Sequence, residues 1–312
     1  MAVRTLRPRR SRVIDFDSAE RSLVSRLEMK RPGNRALYWL VFALLIALTL
    51  TTLFPLYWLF TGAFKTPAEF LQRPPTFFPQ NPQWDSYQTA WTRLNYPRYF
   101  TNTVLIAAGS WVLQMLVTTT AAFSLSKLKP AFGNVLLFLF FSTIMVPGAI
   151  LLIPRYLTVV ELPIFGVSLL RSWWAIWLPG AVNGFGIFLL KTFFDQIPAD
   201  LTDAARIDGA SAWTMFTRIV LPLSKAAIAV LTIGTVIASW QDFFWPFLVL
   251  QGAQEKNPIM VALANFAGTT YGGNPLNLVI AASAIAAIPP IILFFFFQKQ
   301  IIRGINLTGL QG

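Results

Sequence analysis

The sequence predicts an all-α, polytopic membrane protein with six transmembrane helices. Three observations lead there. Of its 312 residues, 55% are hydrophobic and only 12% charged, against about 25% charged in an ordinary soluble chain. Charge-free stretches recur at the length of about 20 residues that a helix needs to cross a bilayer core with every backbone polar group satisfied internally. The basic residues behind the net charge of +12 flank those stretches, a pattern of membrane topology rather than of nucleic-acid binding.

The first 35 residues hold ten basic and four acidic side chains and no apolar core of signal-peptide length. They predict a basic cytoplasmic tail, and their acids argue against a transit peptide. A membrane domain, 36–298, follows. Its first span is Ala36 to Phe64, the second Tyr99 to Ser126, the third Pro130 to Pro154 and the fourth Ser172 to Leu190. The fifth begins after Lys225 and tolerates one acid, Asp242; the sixth runs from Leu276 to Gln298. Residues 299–312 predict a short cytoplasmic C-terminal tail. Between spans, Lys65 to Arg98 is rich in Pro, Asn and aromatics, and Gln251 to Pro275 contains "TTYGGNP"; both read as loops on the outer side.

An even number of spans puts both termini on one side. With that side cytoplasmic, eighteen basic residues lie inside and seven outside, so the positive-inside bias favours cytoplasmic termini, with the long N-terminal tail supplying most of the difference.

The chain has no cysteine and no histidine. A disulfide framework, a thiol nucleophile, a Cys/His metal site and an imidazole acid–base are therefore excluded. No G-x-x-x-x-G-K-[ST] phosphate loop is present either. The sequence implies no catalytic residue, no bound cofactor and no metal, and any ATP and Mg the protein depends on belong to another chain.

The cytoplasmic loop 195–222 is the most structured connection in the sequence. Pro198 and Asp200 suit the first turn of a short helix reaching about Asp208, because proline lacks only an N–H that would be unpaired there and a carboxylate favours the positive dipole end. Gly209 suits the left-handed residue that ends it. Leu201, Ala204, Ala205 and Asp208 fall on one face by helical spacing, with Asp203 and Arg206 at its edges. A second helix is expected over about Ser211 to Ile219, after which Pro222 restarts the chain into span five. Two capped helices around a glycine favour a docking surface over a plain solvated connection.

Here the residues carry a resemblance. Asp203-Ala204-Ala205, then Gly209, then nine residues before Ile219-Val220-Leu221-Pro222 resembles the E-A-A-x-x-x-G-(nine)-I-x-L-P loop of binding-protein-dependent ABC importer permeases, with Asp in place of the usual Glu. "NTVLIAAGSWVLQMLVTTTAAFSLSKL", "GIFLLKTFFDQIPADLTDAARIDGAS" and "WQDFFWPFLVL" are similar to the sugar-importing branch, in particular the shorter permease of the maltose-type pair. The resemblance implies a type I ABC importer permease fold in a bacterial inner membrane. It also implies a second homologous permease, a dimer of ATP-binding subunits, an extracytoplasmic solute-binding protein and a sugar substrate. In that family the loop helix is a coupling helix seated on the ATPase, which assigns coupling to Leu201, Asp203, Ala204, Ala205, Arg206, Asp208, Gly209, Ile219, Leu221 and Pro222.

For the substrate path the sequence offers Asp242, the one acid inside a span, among Trp240, Gln241 and Phe243. Carboxylate, carboxamide and flat aromatic groups suit sugar hydroxyls and ring faces, while a cap on a bend or a bond to a neighbouring helix is the structural alternative. Asn183, within "WLPGAVNGFGIFLL", is a second candidate, set against close helix packing by the surrounding glycines. Thr118, Thr119 and Thr120 are expected to bond their own helix backbone. Two other functions fit less of the chain. An importer of another polar solute, such as a glycerol phosphate, shares the loop pattern, whereas an ion-driven secondary transporter would need repeats and several buried ionisable groups.

Overall fold

The computed structural model describes residues 32–268 and 275–308, the last ten of these as backbone. The basic tail expected over 1–35 therefore lies outside the described residues up to position 31, and so do residues 269–274 of the "TTYGGNP" loop and 309–312 at the C-terminus.

Every element among the described residues is helical or a turn. The first helix, α1, covers Pro32–Gly62. Its large side chains from Leu37 to Leu56 are exposed, as a lipid-facing helix requires, and the hydroxyls of Thr49, Thr51 and Thr52 are spent on carbonyls one turn back. The chain up to Tyr57 forms one unit and the chain from Trp58 onward another.

Within the second unit, α2 (Ser86–Arg93) leads into α3 (Tyr96–Phe123), whose last turn widens into a π-helical turn over Ser124–Leu128. The third predicted span is not one rod. Two helices, α4 (Gly133–Met145) and α5 (Gly148–Val160), meet at 110°. The break falls at Val146-Pro147, where the residue before proline is driven to extended backbone. The fourth span is likewise α6 (Trp174–Gly180) and α7 (Gly184–Asp195), bent by 44°. The loop helices are α8 (Ala199–Ile207), α9 (Ala212–Met215) and α10 (Leu221–Leu223), with a second π-helical turn over Phe216–Val220. An 80° turn at Ser224 opens α11 (Lys225–Gln241), and α12 (Phe244–Val249) follows after a break at Asp242 and Phe243. Then come α13 (Ile259–Gly268) and α14 (Leu276–Thr308), which continues past Gln298 without a break. Among the described residues, three helices are long and apolar enough to cross a membrane alone, and up to six spans result when each bent pair is taken as one.

The long helix α3 is the axis of this unit, packed by α11, α7, α6 and α13. Three apolar clusters hold it. One joins Phe123, Phe194, Phe216 and Val220 beside the loop helices. A second sets Tyr96 and Trp240 against the alanines of α14. The third groups Ile106, Val159, Trp245 and Val249 around α5, α6 and α12. Close approach is bought with glycine at two places: a Cβ on Gly109 would lie 2.3 Å from the Trp177 indole, and one on Gly184 would lie 2.3 Å from the Phe140 carbonyl oxygen.

The segment after α1 is tied down by a buried pair. Lys65 is 1% exposed, its ammonium 3.8 Å from the Trp58 ring centre and donating to the Thr76 carbonyl. Glu69 accepts from the backbone N–H groups of Gln80 and Asn81, both at 3.1 Å. Burial pushes the Lys65 ammonium down against the attraction of Glu69. For Glu69, burial pushes the carboxyl up, but the hydrogen bonds from Gln80, Asn81 and Thr66 together outweigh it and hold the group below its ordinary value.

Candidate functional site: a coupling elbow and a polar cavity

The loop 195–222 folds as a closed elbow. Pro198 stands at the N-cap of α8 and Asp200 in its first turn. At the other end Gly209 has φ +75°; its N–H donates to Arg206 O at 3.1 Å and the Ala210 N–H to Ala205 O at 2.9 Å. These are the two bonds of a Schellman cap. Ser211 then caps α9 by accepting from the Thr214 N–H.

The elbow is also riveted to the end of α3. Ser126 Oγ lies 2.6 Å from Asp195 Oδ1, Lys127 Nζ donates to Ile197 O at 3.1 Å, and Arg206 Nη2 donates to Lys127 O at 3.3 Å. Asp195 pairs with Lys191 at 2.7 Å. Three segments of the chain, the turn after α3, the end of α7 and the elbow, are thereby crosslinked.

About midway along α3, Ser110 and Gln114 face a cavity of about 600 Å³. Arg155 of α5, Asn183 between α6 and α7, Thr235 and Ser239 of α11, and Gln241 and Asp242 at its end complete the polar lining. Its size falls in the range of small-molecule sites, about 300–1,000 Å³. Arg155 lies over the Trp245 indole at 4.0 Å, a cation–π contact, and its Nε has no hydrogen-bond partner. The Trp245 N–H donates to Asp242 Oδ1 at 3.4 Å, so Asp242 both caps the start of α12 and lines the cavity.

The comparisons with known proteins agree with this geometry. Residues 114–307 match the family described as binding-protein-dependent transport system inner membrane component. The chain belongs to this family. It is 30% identical to Protein LplC of Bacillus subtilis (strain 168), over 84% of this chain and 90% of that protein. It is 29% identical to the arabinooligosaccharides transport system permease protein AraQ of Halalkalibacterium halodurans, over 91% and 100%. Among solved structures, a bacterial ABC transporter involved in the import of the acidic polysaccharide alginate superposes with a TM-score of 0.75 at 25% identity, covering 86% of this chain and 98% of that one. The protein is thus an ABC importer permease of the inner membrane with the type I permease fold.

The permease places its sequence-predicted residues unevenly. In α8, Ala205 does not share the free face expected for it. It is 9% exposed and lies on the buried side of the helix with Thr202, because the elbow is a closed unit and not a free helix. Leu201, Asp203, Ala204, Arg206, Asp208 and Gly209 are exposed, with Asp203 and Arg206 paired at 2.9 Å. Ile219 and Leu221 pack on the cluster around Phe216 and anchor the elbow, while Pro222 is exposed. The sequence reading overlooked Ile207 and Trp213, 87% and 64% exposed. Both are large apolar side chains next to the Gly209 turn, a signal readable without a structure.

On the cavity side, Asn183, Gln241 and Asp242 line it, but Trp240 and Phe243 do not. Trp240 is buried and donates its indole N–H to Ala286 O at 3.2 Å, holding α11 to α14. Phe243 stacks on Phe247 at 5.3 Å, because the break after Gln241 swings it away. Asn183 also accepts from the Gly186 N–H at 2.8 Å, capping α7. Thr119 and Thr120 bond carbonyls one turn back as expected, whereas the buried Thr118 hydroxyl has no partner. Arg155 escaped notice because the third span was ended at Pro154, which made it a loop residue. A lone arginine inside "LLIPRYLTVV" was the available signal.

Proposed function

We propose that this chain forms one half of the translocation path of an ATP-driven sugar importer and carries out no chemistry itself. Membership of the permease family carries the reading, and two relatives named for saccharides support the substrate class: AraQ for arabinooligosaccharides and the alginate importer for an acidic polysaccharide. Residues 1–35 and 299–312 lie in the cytoplasm at the two ends of the membrane domain 36–298, and loop 195–222 faces the same side. A second, homologous permease closes the cavity at Ser110, Gln114, Arg155, Asn183, Gln241 and Asp242. A dimer of ATP-binding subunits receives Leu201, Ala204, Ile207, Asp208 and Trp213 of the elbow. ATP and Mg are bound and used there and not by this chain. A solute-binding protein docks over the loops at 65–98 and 251–275.

In this mechanism, closure of the ATPase dimer pushes the elbow. The crosslinks Ser126–Asp195, Lys127–Ile197 and Arg206–Lys127 pass the push to α3 and α7, and the breaks at Gly180–Asn183 and at Ser224 let the helices turn as rigid pieces around the cavity. The test is co-purification of the tagged chain followed by uptake in proteoliposomes containing every subunit recovered. ATP-dependent accumulation of a saccharide is expected. Recovery of no ATPase and no second permease would refute the assembly, and accumulation that ignores ATP but collapses with an ionophore would point to a secondary transporter.

A further inference from the structure

Among the described residues, Arg155 and Asp242 are the only charged side chains lining the cavity, and they carry opposite signs. They do not neutralise each other by contact: the ion pairs formed among the described residues are Lys191–Asp195 and Arg206–Asp203. Instead each is held by a neighbour on α12. The indole of Trp245 covers one face of the Arg155 guanidinium, and the Trp245 N–H steadies one oxygen of Asp242. One tryptophan therefore positions both charges. What the guanidinium keeps is its donor edge, where Nε is unpartnered; what the carboxylate keeps is its second oxygen. The remaining polar lining, Ser110, Gln114, Asn183, Thr235, Ser239 and Gln241, is uncharged and both donates and accepts.

We infer that Arg155 and Asp242 act together as the specificity element of this permease, selecting an uncharged saccharide by donating to one hydroxyl oxygen and accepting from another, and rejecting anionic solutes. The inference rests on the reading of the chain as a sugar permease and narrows its substrate class. A hydroxyl is both donor and acceptor, so neighbouring hydroxyls of a neutral sugar satisfy both charges without adding a third. A uronate or a phosphate gains Arg155 but brings its charge into the same low-dielectric space as Asp242, where like charges are costly. The two groups sit on separate elements, α5 and the α11–α12 junction, so a ligand that bridges them ties the two together.

The experiment uses the whole importer. A panel of neutral disaccharides (cellobiose, arabinobiose and chitobiose), the uronate counterpart of each and glycerol 3-phosphate is first screened for ATP-driven uptake. The neutral sugar taken up best, and its uronate, are then measured by equilibrium dialysis on the purified permease–ATPase complex without the solute-binding protein. The wild-type complex should retain the neutral sugar at least tenfold better than the uronate. Arg155→Gln and Asp242→Asn should each weaken neutral-sugar binding about tenfold or more, the loss expected for one charge-assisted hydrogen bond. Asp242→Asn should in addition bring the uronate within a few-fold of the neutral sugar. Co-elution with the ATPase and an unchanged size-exclusion profile show that the variants are assembled, and Arg155→Lys, which keeps the charge without the planar edge, supplies an intermediate. Equal or preferred binding of the uronate by the wild type, uptake of glycerol 3-phosphate or uronates in place of neutral sugars, or wild-type binding by both variants would overturn the inference. Failure of any saccharide in the panel to be taken up with ATP would instead strike the sugar reading beneath it.

Discussion

Gly209 offers a test that separates backbone conformation from side-chain contact. Its φ is +75°, and the cap it closes depends on its own N–H reaching Arg206 O and on the next N–H reaching Ala205 O. A Cβ at this position meets nothing within 4 Å. Gly209→Ala therefore carries only the left-handed penalty of about 1–2 kcal/mol, offset in part by the lower unfolded-state entropy of alanine. Gly209→Asn costs less, since asparagine visits this region readily. Proline is a different perturbation. It holds φ near about −65°, far from the native value, removes the N–H that Arg206 O accepts, and disfavours the near-helical backbone of Asp208, at φ −71° and ψ 3°. Together these exceed about 3 kcal/mol, more than one cap contributes, so the elbow must open. In proteoliposomes containing the whole importer, Asn and Ala variants should transport within about tenfold of wild type, the factor set by about 1.4 kcal/mol. The Pro variant should fall to background although membrane insertion, followed by protease protection, is unchanged. Normal uptake by Gly209→Pro would refute the requirement for the cap. An alanine variant as inactive as proline would refute the conformational argument in another way, by showing that a partner needs the missing side chain.

Two further outcomes follow from packing and charge. Gly109→Ala would press a methyl into the Trp177 indole, whose N–H is fixed to Ile106 O at 3.1 Å; a loss of about 1–3 kcal/mol is expected, seen as a lower yield of monodisperse protein after detergent extraction, with partial rescue by Trp177→Leu. No rescue would mean that the clash is not the cause. Because the Glu69 carboxyl titrates below its ordinary value in the folded chain, its contribution to stability is present above the unfolded pKa and is lost as pH falls through the folded one. Hydrogen exchange should accordingly show Gln80 and Asn81 protected at neutral pH and released on acidification below the ordinary carboxylate range. In Glu69→Gln, protection should fall about tenfold at neutral pH, the effect of losing about one charge-assisted hydrogen bond, and its acid dependence should disappear. Exchange at these amides identical to wild type would show that the carboxylate does not hold the segment.

Much of this molecule is determined by the sequence alone, and the reasons are local. Membrane helices need about 20 apolar residues wherever they pack, so the charge-free runs locate the spans. Caps depend on residues adjacent in the chain, so Gly209 and the bounds of α8 are legible in "ADLTDAARIDGAS". What tertiary structure alone decided is direction. Whether the third run is one rod or two helices at 110°, whether Ala205 is exposed or buried, and whether Trp240 or Arg155 reaches the cavity depend on which neighbours each helix meets. Trp240 and Asp242 lie two positions apart, on opposite sides of a helix, but that Trp240 meets Ala286 and Asp242 the cavity, and not the reverse, is set by the neighbours of α11. A break reorients every side chain after it, and the size of that rotation is set by packing between segments distant in sequence, to which a periodic pattern carries no pointer.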